Sequence, residues 1–136
     1  MTHESTTGLE LHTREVEDAF SDRFDMLEES GQITALARWM TVNALARIAQ
    51  DFGLTLTEDN ASQFATHVAM AFSRLQRGEE EAPLSEALRD EVREHPRERE
   101  VVRQIMGEAE PVLDRDVPDS EIDYMTVHLC ALVAEQ

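Results

Sequence analysis

Two histidines stand inside strongly patterned segments, His67 in the stretch from Asn60 to Gly78 and His128 in the stretch from Pro118 to Leu129. A neutral imidazole near pH 7 offers a nucleophilic nitrogen that can take a phosphoryl group without a metal on the receiving protein. His67 has Phe64 and Ala71 at i−3 and i+4, and His128 has Tyr124 and Met125 at i−4 and i−3, so each ring lies beside an apolar helical stripe. Such a rim position suits either a polar core-edge residue hydrogen-bonded within the fold or an oriented, accessible nucleophile. Arg74 lies seven positions after His67, on the same helix face, and Arg77 follows within a turn. Both arginines are candidate phosphate contacts, or else solvated charges at a helix end.

Other chemistry is poorly represented. Neither His67 nor His128 has an acidic residue at helical ligand spacing, and Cys130 is the one cysteine, so no disulfide and no zinc signature is expected. No nucleophile-base-orienter set, glycine-rich phosphate loop or pair of catalytic carboxylates stands out, so no catalytic residue, cofactor, metal or enzymatic activity is expected. His95, placed before Pro96, reads as a cap or surface residue, and His3 and His12 fall in or near a frayed terminus.

The elements that must position these residues are helical. Leu, Ala, Val, Met, Glu and Arg dominate, and glycine and proline sit mostly at segment ends. Apolar stripes predict helices over about 9–30 and 33–52, the second ending at Gly53. A third, capped by Thr57, runs to about Arg77, and Gly78 to Pro83 forms an exposed loop. A short helix over Leu84 to Arg93, one over about 97–110 closed by Pro111, and one from Pro118 complete the chain. Five principal helices plus a short one imply an all-α fold, a five-helix antiparallel bundle, burying Phe20, Phe24, Ile48, Phe64, Val68, Phe72, Ile105 and Leu129. Residues 1–8 are expected to be a disordered tail and 9–136 a single domain.

A formal net charge of −17 would repel a phosphate backbone or an anionic bilayer, so direct nucleic-acid and membrane binding are not expected. The N-terminus lacks the basic-then-apolar plan of a signal peptide, and no apolar run is long enough to span a bilayer, so a cytoplasmic protein is expected.

The two histidine segments, in order, resemble the PTS regulation domain of BglG-type transcriptional antiterminators. The resemblance rests on His67-Val68 followed by Arg74, on His95-Pro96 before a charged helix, and on Glu121-Ile122-Asp123-Tyr124 leading to His128-Leu129. It runs from about residue 12 to 133. It implies a five-helix bundle that dimerises, with His67 and His128 as phosphoacceptors for the histidine phosphocarrier protein or a sugar-specific transport component. His95 is associated with helix geometry, not phosphorylation. The chain departs from the usual plan in carrying one such module, without a preceding RNA-binding, helix-turn-helix or transport domain, so it is read as free-standing.

The function this implies is a regulatory module of the sugar phosphotransferase system, a homodimer that modulates transcription regulation through protein contacts. Two alternatives stay open: a dimerisation or scaffold module without phosphotransfer, and an acidic helical protein that mimics nucleic acid or sequesters a basic regulator.

Overall fold

A computed structural model describes residues 4–79 and 83–136. These residues form six α-helices and no strand: α1 (Glu4–Glu29), α2 (Ala35–Phe52), α3 (Glu58–Gln76), α4 (Glu86–Arg93), α5 (Pro96–Leu113) and α6 (Asp119–Ala134). They fall into two compact units, one reaching to Ser73 and taking in Gln136, the other running from Arg74 to Glu135, so the division falls within α3.

In the first unit α1 and α2 pack against each other across a short connection. Gly31, at φ 80°, supplies the left-handed turn that ends α1, and Thr34 starts α2 by accepting a hydrogen bond from the Ala37 amide at 3.0 Å. The inward stripe of α1 is Val16, Phe20, Phe24 and Leu27, all buried, with Leu45 and Ile48 of α2 and Phe64, Val68 and Phe72 of α3 also buried. Arg38 of α2 meets three carboxylates of α1, at 2.6 Å from Glu17, 2.6 Å from Asp25 and 3.3 Å from Glu28, while its guanidinium lies 5.8 Å from the Phe24 ring centre. Arg23 reaches the first turn of α3, where Nε donates to both Glu58 oxygens at 3.1 and 3.0 Å. The expected Thr57 cap is present and reciprocal: Thr57 Oγ1 accepts from the Asn60 amide at 3.2 Å, and Asn60 Oδ1 accepts from the Thr57 amide at 2.8 Å.

In the second unit α5 packs against α6, and α4 packs against both. Val92, Val101, Val102, Met106, Ile122, Met125 and Leu129 are buried there. Ile105, expected in the core, is only half-buried, the inward face of α5 being carried by Val101, Val102, Met106 and Ala109.

Two further expectations need correction, and two fall partly outside the described residues. The described residues hold six helices rather than five, because Glu86–Arg93 is a capped helix in its own right: Ser85 Oγ accepts from the Leu88 amide at 3.3 Å, and Val92 is buried. Of the tail expected over 1–8, residues 1–3 lie outside the described ones, and from Glu4 onward the chain is helical. Once nucleated, a helix adds residues without needing an apolar stripe. Of the loop expected from Gly78 to Pro83, residues 80–82 lie outside the described ones. Pro111 does not close α5, which continues to Leu113. A proline in the last turn sacrifices only one helical hydrogen bond, and the helix stops instead at Asp114, in the left-handed region at φ 56°.

Candidate phosphoacceptor site

His67 lies in α3 in the first unit, and His128 lies in α6 in the second. Both are half-buried, as the rim positions predicted. Around His67 the helix turns Phe64, Val68 and Ala71 inward. The neighbouring Thr66 hydroxyl donates to the Ser62 carbonyl at 3.1 Å and accepts from Arg23 Nη1 at 3.2 Å, so this turn of α3 is tied to α1.

The His128 ring meets the Tyr124 ring edge-on, with centroids 4.8 Å apart and planes at 67°. Tyr124 is one turn earlier on α6, and the buried Met125 and Leu129 flank the pair. An edge contact of this kind favours one setting of the imidazole while the residue stays half-buried.

The arginines fare differently. Arg74 directs Nη2 to Glu121 Oε1 at 3.4 Å; its side chain is 21% exposed and that of Glu121 0%. Its guanidinium is thus paired with a buried carboxylate of α6. Arg77, just past the end of α3, is exposed and bridges to Glu79, with Nε at 3.1 Å from Oε2. Hydrogen bonding from Arg77 holds the exposed Glu79 carboxyl below its ordinary range.

Sequence reasoning placed Glu121 in the motif that leads to His128 and missed its burial. A signal was available: Glu121 lies seven residues before His128, hence on the same helix face, and is next to the buried Ile122. A second cluster also went unseen. His95, Glu98 and Cys130 each bring a ligand atom within 4.8 Å of the others, across a gap in sequence that hides the grouping. His95 does occupy the N-cap position of α5, but its side chain makes no capping hydrogen bond.

The described residues are thus all-helical apart from their connections, with two half-buried histidines on separate helices. The family model for the PRD domain matches residues 42–132, which is most of the chain, and the protein belongs to the PRD domain family. His67, His128, Arg74, Arg77, Tyr124 and Glu121 all fall within the matched residues, whereas α1 precedes them. No curated protein and no solved structure gives a match to the chain. Among the described residues no helix is long and apolar enough to cross a membrane.

Proposed function

We propose that the protein is a regulatory, non-catalytic module of the sugar phosphotransferase system that accepts phosphate on His67 and His128 from the histidine phosphocarrier protein or a sugar-specific transport component. The observation that carries the reading is the setting of His128: a half-exposed imidazole, braced edge-on by Tyr124, within the residues that match the PRD domain. In the transfer an imidazole nitrogen lone pair attacks phosphorus. A new phosphorus–nitrogen bond forms as the donor's bond to phosphorus breaks, and that electron pair leaves with the donor.

The modification adds roughly −1.5 to −2 charge. On a chain at −17, this favours rearrangement of subunit contacts unless a cation is at hand. Among the described residues Arg77 is exposed and paired with an exposed carboxylate, which makes it the more available counter-charge; Arg74 would have to leave Glu121. The protein acts in the cytoplasm as a homodimer, changing its contacts with a transcription regulator rather than touching nucleic acid itself.

A second reading, a scaffold without phosphotransfer, draws on Trp39 of α2, which is 56% exposed, the kind of large apolar side chain that anchors protein contacts. The two readings separate in one experiment. The chain is incubated with a reconstituted phosphorelay and acid-labile phosphate is located. Labelling that disappears in a His67→Ala, His128→Ala double variant of unchanged helical content is the expected result. Absence of label on the parent from every relay component selects the scaffold.

A further inference from the structure

The second unit holds a cluster that phosphotransfer does not use. Pro96 opens α5, which places His95 just before the helix and Glu98 one turn along it. Cys130 comes from α6, which packs against α5. His95 Nδ1 lies 3.8 Å from Glu98 Oε1, and the ligand atoms of all three residues lie within 4.8 Å of one another.

The three side chains of the cluster differ in exposure. The Glu98 side chain is 17% exposed, and among the described residues it accepts no hydrogen bond, its polar neighbour being His95. Cys130 is buried, and burial, with Glu98 and Glu91 adding to it, pushes the thiol up to about 11. An imidazole, a carboxylate and a buried thiol within 4.8 Å of one another make a donor set that a cation would complete. The His95 ring, 40% exposed, leaves a way in from solvent.

We infer that His95, Glu98 and Cys130 form a site for one thiophilic divalent cation of the zinc type, bound by a His95 ring nitrogen, a Glu98 oxygen and the Cys130 sulfur, with water as fourth ligand. The mix of imidazole, carboxylate and thiolate favours zinc over calcium or magnesium, which take oxygen ligands. Tetrahedral ligands at ordinary zinc bond lengths stand about 3.3–3.6 Å apart, so the cluster has to contract by about 1 Å at its widest, within the reach of side-chain rotation. Binding replaces the sulfur–hydrogen bond with a sulfur–metal bond and releases that proton to water.

Titration of the full, unphosphorylated chain with Co²⁺, a spectroscopic stand-in for Zn²⁺, tests the site. One cobalt per chain is expected, with a near-ultraviolet thiolate-to-cobalt band that Zn²⁺ abolishes. Cys130→Ser should lose the band. His95→Ala, altering a partly exposed ring at no cost to helical content, should weaken cobalt binding by about tenfold or more, the loss that even an outer-shell partner causes. The His67→Ala, His128→Ala protein should keep the band, so the outcome is independent of phosphotransfer. No bound cobalt, cobalt bound without a thiolate band as an acidic surface would give, or a band of unchanged affinity in both His95→Ala and Glu98→Gln overturns the site.

Discussion

Arg74 Nη2 stands 3.4 Å from Glu121 Oε1, and the glutamate side chain is fully buried. The pair joins the end of α3 to the first turn of α6. Removing one member of a buried ion pair strands the other, which costs about 3–5 kcal/mol, whereas replacing both with apolar groups of similar volume is close to neutral. Glu121→Ala and Arg74→Met should each lower the urea midpoint markedly, and the Arg74→Met, Glu121→Leu double variant should recover most of the loss. A Glu121→Ala variant as stable as the parent would show that the pair contributes nothing. Loss of Arg74 is therefore expected to weaken the protein before any phosphate arrives.

The edge contact between Tyr124 and His128 carries the second prediction. Aromatic pairs of this geometry contribute about 0.5–1.5 kcal/mol beyond burial. Tyr124→Phe retains the ring and should leave labelling of His128 by the phosphorelay unchanged. Tyr124→Ala releases the imidazole to other rotamers and should slow labelling severalfold, by up to about tenfold if the whole contact orients the nucleophile. The comparison is best made in a His67→Ala background, which isolates His128.

Acid stability should report on Arg23 and Glu58. Hydrogen bonding from Arg23 holds the Glu58 carboxyl below its ordinary value of 4.5, against a smaller opposing effect of burial and with help from the Arg23 charge. A carboxylate lowered in the folded state stabilises fully above its unfolded value, and that contribution fades as pH falls through the folded one. Glu58 is 47% exposed, so solvent screening limits the effect to under about 1 kcal/mol. Urea melts at pH about 3 and about 6 should show a smaller difference for Arg23→Gln than for the parent.

Gly53 ends α2 at φ 64° and ψ 40°, donating its amide to the Ala49 carbonyl. No atom lies within 4 Å of where a Cβ would stand, so Gly53→Ala meets backbone strain alone. The expected loss is about 1 kcal/mol, read as a shift in thermal midpoint. A much larger loss would point to a contact that the side chain cannot tolerate.

How far each of these features was legible depends on the range of the interaction behind it. Helix signals are local, so the αL glycine at 53, the Thr57–Asn60 cap and the rim placement of His67 and His128 could all be read from the order of residues. The periodicity of an apolar stripe says which side of a helix turns inward, and it located Phe20, Phe24, Phe64 and Phe72 in the core. The short helix expected over Leu84 to Arg93 is α4, a helix of 8 residues that starts two positions later and buries Val92 alone.

By itself, then, the sequence determined the all-helical class, most helix boundaries, the family and the face on which each histidine sits, because these follow from a 3.6-residue period, short-range capping and motif order. Tertiary structure alone decided which side chains meet. Arg74 and Glu121 are 47 positions apart, and no local pattern says that this arginine will turn to a buried carboxylate instead of to solvent. The same holds for Arg38, whose three acidic partners come from another helix, and for Cys130, which joins His95 and Glu98 only when α6 packs on α5. Periodicity assigns a face to each helix, but the partner of that face is chosen by the packing of whole helices, and charged pairs and ligand clusters are formed by that choice.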